Sequence, residues 1–139
     1  MPTWFAQITV ESDLIDLTPD SSSRARYAFN ILSIKQPSDT FDMELVAILQ
    51  NAGVGTYGTS IFVSSRAEIP TGDGPYIEIT ETGGLKPIAT HNSVAVPAYP
   101  QPGAQIVVVA KTKEAARAKV KQAWNALGGI RNQSVTAAT

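Results

Sequence analysis

Residues 81–105 read ETGGLKPIATHNSVAVPAYPQPGAQ, and they run directly into IVVVAKT (106–112) and KEAARAKVKQAWNALGG (113–129). This order decides the fold class. It reads as the end of a strand, a Gly-Gly turn, a polar loop, a Pro-rich turn, a buried strand and an amphipathic helix. Residues 85–92 are expected to be a loop. Residues 93–99 form a strand pattern interrupted by Pro97, which has no N–H to give a ladder and so belongs on an edge or at a bulge. Pro100 to Gly103 is turn chemistry. The Ile106–Val109 run is apolar on both parities, as expected for a strand buried on both faces. Thr112 is a natural N-cap. In the helix of about 113–127, Ala116, Val120, Ala123, Trp124 and Leu127 share one face. Gly128-Gly129 follows as a stop.

Upstream of this block, residues 76–81 (YIEITE) alternate apolar and polar, predicting a half-buried strand. Arg66–Pro75 is expected to be a loop, and residues 60–65 (SIFVSS) a short strand. GVGTYGTS (53–60) has the glycines of a phosphate loop but lacks the Gly-Lys-Ser/Thr ending and follows a helix, so it reads as a turn. That helix is predicted over about 41–52, with Phe41, Leu45, Ile48, Leu49 and Ala52 on one face and Asp42 and Glu44 at its dipole-favoured N-terminus. Pro37 marks a boundary before it. Trp4, Ala6, Ile8 and Val10 alternate as a strand. Residues 25–35 follow Ser23, which could cap a short helix, but the alternation of Tyr27, Phe29 and Ile31 favours a second strand. The fold class is therefore α+β: a mostly antiparallel sheet packed with two helices. Residues 1–38 are read as a hairpin-like arm ahead of a domain over 39–139. The tail 131–139 is read as a short last strand or a frayed end.

The chain has 139 residues, enough for a self-sufficient core, with 43% hydrophobic and 17% charged residues. No apolar run approaches the ~20 residues of a membrane-spanning helix. The N-terminal MPTWFAQITVESD lacks the basic-then-apolar pattern of a secretory signal. Cysteine is absent, which excludes disulfides, thiolate metal sites and thiol nucleophiles. Residues 1–50 hold three basic and seven acidic side chains; residues 101–139 hold six basic and one acidic. Opposite charge at the two ends of the chain suits head-to-tail contact between copies.

Catalytic chemistry finds little support. His91 is the single histidine, set in a polar loop with no second imidazole nearby in sequence. There is no nucleophile elbow. Glu78 and Glu81 are three apart on a strand, so they point to opposite faces and cannot flank one bond. No cofactor or metal is expected. Lys113, Arg117 and Lys121 recur every four residues and form a basic stripe on the last helix. Aromatic residues are not interleaved with that stripe, so it lacks a stacking platform for single-stranded nucleic acid.

The order of motifs resembles the tail terminator proteins of long-tailed bacteriophages, a family also described as tail completion or minor capsid proteins. The likeness spans about Phe41 to Asn132. It rests on the helix ending in Ala-Gly (Leu45 to Gly53), GTSIFV, Glu81-Thr82-Gly83-Gly84, the Tyr99–Gly103 turn leading to Gln105 and its strand, and the Ala-rich last helix. The resemblance implies a structural virion protein, not an enzyme: a ring, usually of six copies, at the head–tail junction. Such a ring is assembled in the host cytoplasm, caps the tail tube, stops its polymerisation and meets a head-closure protein. Genomic DNA passes through its lumen without sequence-specific binding, and no membrane is involved. On that reading the contact residues are expected on the Arg66–Pro75 loop (Arg66, Asp73), the segment Glu81–Asn92 (Glu81, Gly83, Gly84, Lys86, His91) and the stripe Lys113, Arg117 and Lys121. The alternatives are another neck or head-closure protein, a small α+β enzyme and a nucleic-acid-binding module.

Overall fold

A computed structural model describes residues 2–20, 23–36, 38–88 and 99–138. The chain runs through β1 (Thr3–Val10), β2 (Ile15–Leu17), β3 (Ala25–Lys35), α1 (Phe41–Asn51), β4 (Ile61–Val63), β5 (Tyr76–Glu81), β6 (Leu85–Ile88), β7 (Tyr99–Gln101), β8 (Gly103–Ala110), α2 (Lys113–Gly128) and β9 (Arg131–Val135). Among the described residues seven strands form one sheet in the order β4-β5-β8-β3-β1-β9, with β2 also paired to β3. Every pairing is antiparallel except β4 with β5. The architecture is α+β, with both helices contributing to one core against one face of the sheet.

Strand alternation assigns the two faces. Tyr27, Phe29 and Ile31 of β3, Ile77 and Ile79 of β5, and Ile106 and Val108 of β8 join the core with α1 and α2. Ala28, Val107 and Val109 lie on the reverse face, where Leu17 and Ile69 pack on them. The apolar run of β8 is thus covered on both sides, as its sequence requires.

Helix α2 follows its sequence closely. The Thr112 hydroxyl accepts from the Ala115 amide at 3.2 Å, and Ala116, Val120, Ala123 and Leu127 are fully buried. Alanine at two of these positions, 116 and 123, lets the helix lie close to the sheet. Trp124 is only half-buried, its ring 5.4 Å from that of Phe29.

Several expectations change. Residues 1–38 do not stand apart as an arm, because β3 is an inner strand between β8 and β1 and pairs with β8 along Ala25–Leu32. Of the two readings of the tail the strand holds: Arg131–Val135 forms β9 against β1. Segment 85–88 is a strand and not a loop, and Tyr99–Gln101 pairs with it instead of forming only a turn. The expected strand over 93–99 falls mostly outside the described residues. Helix α1 is buried from Phe41 to Leu49, far beyond one stripe, while Ala52 is exposed. The reason is enclosure. The helix meets β4 and β5, α2 and β9, and the Ala138 amide donates to the Met43 carbonyl from the C-terminal segment.

Candidate assembly interface

The two motifs at residues 81–84 and 99–103 meet in space. β5 and β8 pair out to Glu81 opposite Ala104, and the chain then continues as a second ribbon, β6 with β7, with Leu85 opposite Gln101. One long hairpin is therefore bent at Thr82–Gly84 and Pro102–Gly103. Gly84 sits at φ +73, and a Cβ there would lie 2.0 Å from the Gln101 carbonyl oxygen and 2.7 Å from the Gly103 nitrogen. Only a residue without a side chain allows this approach of backbones. Gly83 also has positive φ, but a Cβ at that position would meet nothing within 4 Å. The Thr82 amide donates to the Gly103 carbonyl at 2.9 Å, while the Ser33 amide and hydroxyl both donate to the Pro102 carbonyl at 3.0 Å. Gly84 is thus held between backbone groups, while Gly83 is not.

Beside this bend, on the helix side, lies a charged corner that sequence reasoning missed. Lys35 and Glu44 are each 1% exposed, with Lys35 Nζ 3.3 Å from Glu44 Oε1. The ammonium also donates to the Gln36 carbonyl (2.8 Å) and Ser38 Oγ (2.6 Å), and stands 5.7 Å from the ring centres of both Phe5 and Phe41. Glu44 Oε2 accepts from the hydroxyls of Thr3 and Thr40. Glu44 Oε1 has no hydrogen bond among the described residues and is balanced only by the nearby ammonium. Thr40, the N-cap of α1, therefore spends its hydroxyl on Glu44 and not on a helix amide. A signal was present: Tyr27, Phe29, Ile31, Ser33 and Lys35 share one parity, which directs Lys35 into the core.

Two predicted residues converge on this corner. Arg66, half-exposed, lies 3.8 Å from Asp42. Burial raises the Glu81 carboxyl above its ordinary value; Asp42 and Glu44 push it further up, and Lys35 opposes them. The other predicted residues lie elsewhere. Asp73 is exposed and 3.9 Å from Lys111, at the far end of β8. Lys113 is exposed and 2.7 Å from Asp16 of β2, which holds its ammonium above the ordinary lysine range through that hydrogen bond and charge. The acidic N-terminal and basic C-terminal parts of the chain therefore already meet within one copy. Arg117 and Lys121 are exposed and have no ion-pair partner among the described residues. Lys86 lies on β6, and His91 lies outside the described residues.

Glu78 lies on the reverse face, opposite Val107 on β8 and Phe62 on β4. Glu81 keeps the parity of Ile77 and Ile79, so the two carboxylates diverge as their spacing predicts. Burial alone raises the Glu78 carboxyl above its ordinary value, and no cation pairs with it among the described residues. Further along this face Glu11, Ser12, Asn30, Leu32, Thr82, Gly84 and Gly103 line an open trough.

Among the described residues no three His, Cys, Asp or Glu side chains are grouped to hold a metal ion. No helix among them is long and apolar enough to cross a membrane. No family model, curated protein or solved structure matches this chain.

Proposed function

We propose that this chain is a tail terminator of a long-tailed bacteriophage: a structural subunit whose ring caps the tail tube and presents a new surface to the head-closure protein. The observation that carries this reading is the crossing of Thr82–Gly84 over Gln101–Gly103. Two motifs that prompted the resemblance, well separated along the chain, are parts of one device. That device bends the β5–β8 hairpin and sets the β6–β7 ribbon off the main sheet.

The polymer physics fits such a device. The end of a tube is an unsatisfied interface that recruits the next ring of tube subunits. A terminator must match that interface on one side and offer something different on the other. A ribbon fixed at its base by backbone contacts provides strand edges for a neighbour without loosening the core. The expected contacts are with other copies of the chain, six in the usual ring, with the tube protein below and with the neck above. Genomic DNA would pass through the lumen by charge and shape alone.

Deletion of the gene from its phage tests this. Electron micrographs of the lysate should contain filled heads beside separate tails of uncontrolled length. Normal-length tails with leaking or empty heads would assign the chain to head closure instead. Intact infectious particles would sink the structural reading.

A further inference from the structure

The domain has two unlike sides. Helices cover one face of the sheet, while the reverse face is covered only towards one end. There the 64–75 loop reaches Ala28, Val107 and Val109 through Ile69, Leu17 of the adjoining strand β2 packs beside them, and Arg24 donates to the carbonyls of Pro70 and Gly72 at 2.8 and 3.1 Å. The rest of that face, around Glu78, Thr80, Gln105, Asn30 and Leu32, is left partly exposed by the described residues. Among the described residues the charges on this uncovered part are acidic, Glu78 near the middle and Glu11 at the rim of the trough, while Arg26, on the same face at the covered end, donates to the Thr18 carbonyl. Glu78 is the telling residue. It sits between Phe62 and Val107, both buried, so its carboxylate has lost part of its water and has gained no cation among the described residues. A desolvated carboxylate without a partner destabilises a lone subunit. It becomes favourable when a cation is brought to it from outside.

The opposite side of the molecule carries such cations. Arg117 and Lys121 are one helical turn apart on the outward face of α2, and neither is engaged by a carboxylate among the described residues. Lys113, by contrast, is held by Asp16. Resting on the ring reading above, we propose that neighbouring copies stack front to back: the outer face of α2, through Arg117 and Lys121, docks on the open sheet face of the next copy at Glu78. The contact joins two different surfaces and is therefore heterologous, the type that closes a ring or extends a filament. It also completes the layering, since each sheet then has helices on both faces.

The chain contains no cysteine, so a cysteine pair reports this contact without background. The double variant Glu78→Cys/Lys121→Cys, supplied in trans to phage lacking the gene, should yield a non-reducing ladder beyond the dimer from oxidised, purified virions. Each single-cysteine variant should stay monomeric. Dimers from a single-cysteine variant would mean a two-fold contact and overturn the proposal. Monomers throughout, in virions with tails of normal length, would overturn the face assignment while leaving the terminator reading intact. Failure of that reading itself would appear in the gene deletion, as normal-length tails beside leaking heads or as intact infectious particles. A charge exchange gives a second readout. Lys121→Glu/Arg117→Glu should lower titre at least tenfold, and adding Glu78→Lys should recover most of it. Unchanged melting of the purified variants would assign the loss to assembly, and no recovery with folded protein would count against the pairing.

Discussion

Two ion pairs in this molecule invite comparison. Lys35 with Glu44 and Lys113 with Asp16 are each a lysine and a carboxylate within hydrogen-bond or ion-pair range, at 3.3 and 2.7 Å. The shorter pair is the weaker determinant of stability. Lys113 and Asp16 are both exposed, so water solvates their charges whether or not they meet. Lys35 and Glu44 are sealed among Phe5, Phe41, Thr3 and Thr40, and each depends on the other. Burial, not distance, decides what a pair is worth.

The largest expected effect follows from that dependence. Lys35→Ala leaves the Glu44 carboxylate buried without its cation and should cost about 3–5 kcal/mol in urea unfolding. Lys35→Met/Glu44→Met should recover at least half of the loss, with the remainder assigned to the orphaned Thr3 hydroxyl. A single-variant loss below ~1 kcal/mol would break the comparison.

A backbone contrast comes next. Gly84→Ala places a methyl group against the Gln101 carbonyl and should cost more than ~2 kcal/mol. Gly83→Ala meets open space and should cost only about 1 kcal/mol for its positive φ. Equal losses in denaturant midpoint would mean that the crossing adapts to a side chain.

Glu81 lies between the two ion pairs in character. Its carboxyl is raised in the folded state, first by burial and then by Asp42 and Glu44. A carboxyl raised on folding favours the protonated native state, so its ionisation lowers stability as pH rises through the folded value. Glu81→Gln removes that penalty. The variant should melt slightly higher than the parent at pH 7, and the difference should vanish below the ordinary value of 4.5. A higher melting temperature confined to acid pH would reverse the sign and refute the assignment.

The smallest effect belongs to Lys113→Met, which should leave the melting temperature unresolved from the parent at moderate salt. A clear drop would mean that the Asp16 contact fastens β2 to α2 more firmly than its exposure implies.

Much of the fold was legible because it is local. Thr112 and the spacing of Ala116, Val120, Ala123 and Leu127 define α2 without reference to anything else. The alternation of Tyr27, Phe29 and Ile31 favours β3, and Ile77 and Ile79 mark β5 in the same way. Periodicity also separated Glu78 from Glu81. Of the candidate interface, the stripe Lys113, Arg117 and Lys121 was readable from spacing, but its division into one tied lysine and two unengaged cations was not. That division depends on Asp16, which lies far earlier in the chain.

The sequence by itself determined both helices, the strands β1, β3, β4, β5 and β8, and the core parity of β3 and β5, because propensity, caps and periodicity act over a few residues. In β1 a bulge between Phe5 and Gln7 buries Phe5 and Ile8 in place of the alternating set from Trp4. Only the tertiary structure decided that β3 lies inside the sheet, that Leu85–Ile88 pairs with Tyr99–Gln101, and that Lys35 meets Glu44 in the interior. The physical reason is common to all three. Strand partners and the partner of a buried charge are chosen by long-range backbone hydrogen bonding and by exclusion of water; parity puts Lys35 on the core face but does not name Glu44.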